Sequence, residues 1–130
     1  MINHREERIA MMRFFVEIHR IQKKTTGGDL TTAAVLWIVA LGHLEGKPFN
    51  ASSISAYLDI PRSTVTRKLQ YLCAAGLIDR RSNTEYCLSA RTETMPEEDY
   101  AKVAYAIQSL AEQVPVPKTN MATSVTRTSE

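Results

Sequence analysis

The stretch NASSISAYLDIPRSTVTRKLQYLCAAGLIDRR, Asn50 to Arg81, decides the fold. Asn50 is a good N-cap, because its side-chain oxygen can take an orphan N–H of a first helical turn. The helix it opens runs from Ala51 to about Leu58 and buries Ile54 and Leu58, four residues apart on one face. Asp59, Ile60 and Pro61 interrupt it, since proline lacks an N–H and biases the preceding residue away from helix. A second helix is predicted from about Arg62 to Ala75: Val65, Leu69 and Leu72 repeat at helical spacing and Gly76 supplies the stop. Two helices joined by a tight turn are the result.

Downstream, Leu77–Arg81 and Glu85–Ser89 read as short strands around Ser82, Asn83 and Thr84, a polar, turn-prone tip. A small β-hairpin follows. Upstream, Lys47, Pro48 and Phe49 form a short extended piece. Before it, Thr31 or Thr32 can cap a helix through Ala34, Leu36, Trp37, Ile38 and Leu41 to about Glu45, closed by Gly46. Apolar nearly all round, that helix is expected at the centre of the core.

At the two ends the pattern is helical again. From about Arg5 to Lys23, Ile9, Met12 and Val16 form one stripe, and Met11, Phe15, Ile18 and Gln22 a neighbouring one. Two stripes exceed what one packing partner needs, which points to a second subunit. Lys24 to Asp29, with Thr25, Thr26, Gly27 and Gly28, reads as loop. Thr94 and Glu97 form a capping box, with Glu97, Glu98 and Asp99 at the positive end of a helix whose apolar positions are Tyr100, Val103, Ala104, Ile107, Leu110 and Ala111. From Pro115 onward, prolines, serines and threonines without periodicity predict a disordered tail.

Composition permits a packed fold and removes several functions. With 44% apolar and 23% charged residues in 130, the chain suits one ordinary globular core. The net charge is only +2, but it is segregated: Arg62, Arg67, Lys68, Arg80 and Arg81 face Asp79 alone, while Glu93, Glu97, Glu98 and Asp99 cluster later. Cys73 and Cys87 lack zinc-ligand spacing and read as reduced structural thiols, and His4, His19 and His43 are too scattered for a metal site. No nucleophile, base and orienting group assemble, and no Gly-rich phosphate loop is present, so neither enzyme nor cofactor is expected. The N-terminus MINHREER has no apolar h-region, and the longest apolar run, Ala33 to Leu41, is about half the roughly 20 residues needed to span a bilayer. A cytoplasmic location without membrane contact is expected.

The order helix, extended piece, helix, tight turn, helix, hairpin is that of a winged helix-turn-helix, and Asn50–Arg81 resembles its version in the MarR family of bacterial transcription regulators. The resemblance covers roughly residues 49–88. It implies that Ile54, Leu58, Ile60 and Val65 lock the two helices together while RSTVTR opens the helix that enters DNA. Asp59 stands where such motifs commonly have glycine, and Ser55 where they have alanine; Asp tolerates a left-handed backbone, and a serine fits if its hydroxyl meets a backbone carbonyl. The fold class expected is mainly α with a small β-hairpin (α+β), a winged helix-turn-helix with flanking N- and C-terminal helices. Residues 1–29 and 93–114 would serve dimerisation, 30–92 the DNA-binding core and 115–130 the tail.

The site follows from helix geometry. If Val65, Leu69 and Leu72 face inward, then Arg62, Ser63, Thr66 and Arg67 point outward near a helix N-terminus that already favours phosphate. Arg67, then Arg62, is the first choice for a bidentate guanine contact in the major groove. Ser63, Thr64 and Thr66 suit phosphates or base edges, and Lys68 the backbone. One of Arg80 and Arg81 on the hairpin would reach the minor groove or flanking phosphate, because strand alternation sends neighbours to opposite faces. The partners expected are double-stranded DNA and a second copy of the chain, with successive major grooves read about 34 Å apart. Two other readings stand beside this one. One is a winged-helix protein-interaction module without DNA binding; the other is a DNA-binding sensor gated by Cys73 or Cys87, or by a small apolar effector. Trp37, Phe14 and Phe15 read as core packing, with an effector pocket as the alternative.

Overall fold

A computed structural model describes residues 4–116. The described residues form five helices, α1 (Arg5–Thr26), α2 (Leu30–Glu45), α3 (Ala51–Leu58), α4 (Arg62–Ala74) and α5 (Glu97–Gln113), and two strands, β1 (Ile78–Arg80) and β2 (Tyr86–Leu88). The fold is the expected α+β winged helix. The predicted tail lies, from residue 117 on, outside the described residues.

The helix-turn-helix forms for local reasons. Asn50 Oδ1 accepts the Ser53 N–H at 2.8 Å and Ser53 Oγ accepts the Asn50 N–H at 3.0 Å, a reciprocal cap with serine in the usual Glu position. Asp59 ends α3 in the left-handed region, φ 55°, its N–H donating to Ser55 O. Ser55 Oγ reaches across the turn to Ile60 O at 2.5 Å, so the hydroxyl finds its carbonyl and both unusual residues are accommodated. At the far end of α4, Gly76 takes φ 77° and the Leu77 N–H folds back onto Leu72 O at 3.0 Å.

The core lies where α2, α3 and α4 meet the hairpin. Ile54, Val65, Leu69 and Leu72 are fully buried there with Val35 and Val39, Ile78 nearly so, and Leu58 and Ile60 half-buried at its edge. The strands pair antiparallel, Ile78 with Leu88 and Arg80 with Tyr86. The extended piece before α3 joins them through an Asn50–Glu85 bridge and a Tyr86 N–H to Phe49 O bond at 3.3 Å. Gly42 lets this piece cross α2: a Cβ there would stand 2.5 Å from Phe49 Cδ2 and 2.8 Å from Lys47 O.

Four local expectations need correction. First, α1 runs on through Thr25 and Thr26, because Thr26 Oγ1 bonds back to Gln22 O at 3.2 Å, Lys23 and Lys24 suit the negative helix end, and only Gly27, φ 73°, stops the coil. Second, the cap of α2 is Asp29 rather than Thr31 or Thr32; its carboxylate accepts the Thr32 N–H at 3.3 Å and the Thr32 hydroxyl. Third, α5 starts after Pro96 with no side-chain cap, so the Thr94–Glu97 box does not form; the acidic first turn is as expected. Fourth, Trp37 and Phe15 are not core: they are 45% and 58% exposed, because α2 turns Val35, Leu36, Ile38 and Val39 to the core and leaves Trp37 on the far side.

α1 and α5 lie against each other beside the winged core as an arm. α5 buries none of its residues, and α1 exposes Ile9, Met12, Phe15 and Val16. No single described helix is long and apolar enough to cross a membrane.

Candidate nucleic-acid interface

Val65, Leu69 and Leu72 pin α4 to the core and so fix which way the rest of the helix looks. At about 100° per residue, the opposite face carries Ser63, Arg67 and Gln70, all exposed. Arg62 is exposed at the N-terminal end; Thr64 and Thr66 are half-buried on the flanks. α4 follows Pro61 with no side-chain cap and no acidic residue in its first turn. Its first N–H groups and its dipole therefore remain available to an anion.

The basic residues divide into free and engaged. Arg62, Arg67 and Arg81 have no hydrogen-bond or ion-pair partner for their side chains among the described residues. Lys68 differs: its Nζ lies 2.6 Å from Asp29 Oδ2. The hydrogen bonds from Lys68 and then Thr32 hold the Asp29 carboxyl at about 2. Lys68 is thus a strut between α4 and the start of α2, a less available phosphate contact than its sequence position suggests.

Register separates the two wing arginines. Arg80 pairs with Tyr86, donates Nη2–H to the Tyr86 hydroxyl at 3.1 Å, and lays its guanidinium 5.6 Å from the ring centroid. That hydrogen bond pushes the Arg80 ionisation further up. Arg81, one residue on, donates its N–H to Glu85 O at 2.8 Å and leaves its side chain exposed where the tip begins. Ser82 Oγ orders the tip by accepting the N–H groups of Thr84 and Glu85.

Residues 29–85 match the model of the MarR family. The chain is MarR-like. The match supports a DNA-binding transcription regulator. Among solved structures, disulfide-formed AbfR is 17% identical with a TM-score of 0.58, over 94% of this chain and 78% of that one. AbfR of Staphylococcus epidermidis is 18% identical with a TM-score of 0.44, over 92% and 77%. At such identities the first likeness shows the shared fold alone. No curated protein matches the chain.

Two functional candidates of this MarR-like domain escaped the sequence reading. Gln70 lies three residues beyond Arg67 and seven beyond Ser63, a same-face spacing that could have found it. Arg91, after the hairpin, gave no sequence signal; it donates from Nη1 to Ala75 O just past the end of α4 at 3.1 Å.

Chemistry elsewhere is sparse. Cys73 and Cys87 are free and half-buried, and burial pushes the Cys73 thiol up, away from reactive thiolate. Among the described residues no group of three or more His, Cys, Asp or Glu side chains is placed to hold a metal ion. An open cleft of about 360 Å³ runs between α1 and α5, lined by Phe14, Tyr105 and Leu110 with Arg13, Glu17 and Lys102.

Proposed function

We propose that this MarR-like chain is a sequence-specific, double-stranded-DNA-binding transcription regulator of the cytoplasm, acting as a homodimer and without catalysis of its own. The observation that carries the reading is the exposed Ser63–Arg67–Gln70 face of α4, opposite three fully buried anchors, with free Arg62 at its N-terminal end and free Arg81 on the hairpin. A single helix fits the major groove, where Arg67 pairs with guanine O6 and N7 and Gln70 suits adenine N6 and N7. Arg62, Ser63, Thr64 and Thr66 hold phosphates or base edges at the helix N-terminus, Arg81 reaches the minor groove or its phosphates, and Arg80 stiffens the wing.

Residues 30–92 supply the DNA-binding core, and residues 1–29 and 93–114 the dimer contacts. What supports the dimer is the arm: a 17-residue helix with nothing buried, beside a helix exposing four large apolar residues, needs a second surface. A two-fold pair of such chains reads half-sites about 34 Å apart.

The test is selection of bound fragments from random duplex DNA, followed by affinity against salt. Recovery of a pseudo-palindrome whose binding falls steeply with salt is expected, because neutralised phosphates release counterions. No enrichment, with salt-insensitive docking on a protein instead, overturns the reading in favour of an interaction module.

A further inference from the structure

The segment just after the wing, Ser89–Glu93, reaches in two directions. Towards the recognition helix, Ser89 Oγ donates to Gly76 O at 2.7 Å, Thr92 Oγ1 to Leu77 O at 2.6 Å and Arg91 Nη1 to Ala75 O at 3.1 Å. Three consecutive carbonyls at the exit of α4 are thus each held by a side chain of the strap. Towards α2, Glu93 Oε2 lies 2.6 Å from His43 Nε2, while His43 Nδ1 accepts the Leu88 N–H at 3.3 Å. Four positions after Glu93 the chain enters α5, which lies on α1.

The winged core therefore joins the arm through two connections of different character. One is the α1–α2 corner, where Gly27 and Gly28 both take positive φ, 73° and 94°, a conformation glycine adopts at no steric cost. The other is the strap, tied by hydrogen bonds to the end of the recognition helix. Leverage makes the strap consequential: α4 is 13 residues long, roughly 20 Å at about 1.5 Å per residue. A tilt of about 10° pivoted at its C-terminal end carries its reading end about 3.4 Å, one step along a DNA strand.

We infer that Ser89, Arg91 and Thr92 are positioning residues that set the attitude of the recognition helix relative to the α1–α5 arm, and so the half-site spacing the dimer accepts. The inference rests on the proposed homodimeric DNA reading. None of the three residues contacts bases in it; they act through α4.

The experiment uses the full chain and the duplex selected by the wild type, together with duplexes whose spacer is one or two base pairs longer or shorter. Wild type should lose about tenfold or more in affinity per base pair of wrong spacing, the size of a typical mismatch penalty. Thr92→Val and Arg91→Gln should flatten that dependence to about threefold or less while discriminating base changes inside a half-site as wild type does. Thr92→Ser should restore it. Arg91 is exposed, so Arg91→Gln keeps the test alive should Thr92→Val unfold. A uniform loss of affinity at every spacing, with the wild-type preference intact, overturns the inference and leaves the DNA reading standing. Wild-type protein that selects no duplex overturns both.

Discussion

Lys68 and Asp29, 39 positions apart, meet at 2.6 Å, and the same carboxylate that grips α4 also caps α2. One acidic side chain thus ties α4 to the corner where the arm joins the core. It also subtracts a cation from the proposed DNA-binding surface, leaving Arg62, Arg67 and Arg81 as its free positive groups among the described residues.

Asp29→Asn separates the two duties, because asparagine caps a helix about as well as aspartate. A carboxyl held at about 2 against an ordinary 3.8 stabilises the fold above pH 3.8 and loses that contribution as pH falls towards 2. With the Asp29 side chain 47% exposed, screening reduces the pair to about 1 kcal/mol or less. Wild type should therefore be more stable than Asp29→Asn at pH 6, and the two should converge by about pH 2 in urea titrations. The freed Lys68 should also steepen the salt dependence of DNA binding by about one counterion. Unchanged stability and salt slope would show the pair to be inert.

Arg67→Ala should cost about 1 to 3 kcal/mol of DNA binding and relax preference at one base position, as loss of a bidentate pair does. Arg81→Ala should weaken binding to all duplexes alike and shallow the salt slope, whereas Arg80→Ala should chiefly loosen the wing around Tyr86. Fragment selection and salt titrations on the three variants check the assignment. A larger DNA defect in Arg80→Ala than in Arg81→Ala would reverse the roles of the pair.

What was legible in the sequence was what local chemistry fixes. Asn50, Gly76 and the Val65–Leu69–Leu72 spacing delimit α3 and α4 without reference to anything distant, and Arg62, Ser63 and Arg67 emerge where that spacing sends them. Illegible features needed a partner from elsewhere in the chain. Asp29, Thr31 and Thr32 can all cap, and Asp29, the one that does, also meets Lys68 from α4. Alternation separates Arg80 from Arg81, but only the Arg80–Tyr86 register says which is occupied. Because α2 is apolar nearly all round, sequence cannot tell that Trp37 faces away from α4 and β2.

Gly42→Ala tests the crossing of α2 by the Phe49 piece. In an open helix the change would stabilise by about 1 kcal/mol. Here the new methyl would meet the Phe49 ring and the Lys47 carbonyl, and the latter is backbone that cannot step aside. Overpacking of this kind costs about 1 to 3 kcal/mol, so a net loss of about 1 kcal/mol, or about 3–6 °C in Tm, is expected. A rise in Tm would mean that Phe49 moves freely.

Phe15→Asp and Ile107→Asp probe the arm. Both side chains are more than half exposed in the single chain, so neither change should damage its own fold. A carboxylate placed in an apolar interface must be desolvated or expel its neighbour, and either outcome disfavours association. Each variant should sediment as a folded monomer at tens of micromolar, where wild type is expected to sediment as the proposed dimer. Without a linked second reading head, affinity for the full operator should fall on the order of a hundredfold, while affinity for an isolated half-site stays at the wild-type value. The contrast between those two duplexes matters more than either number. A general fault in the DNA-binding face would depress both together. A variant that remains dimeric and binds the whole operator as wild type does would move the subunit contact away from α1 and α5.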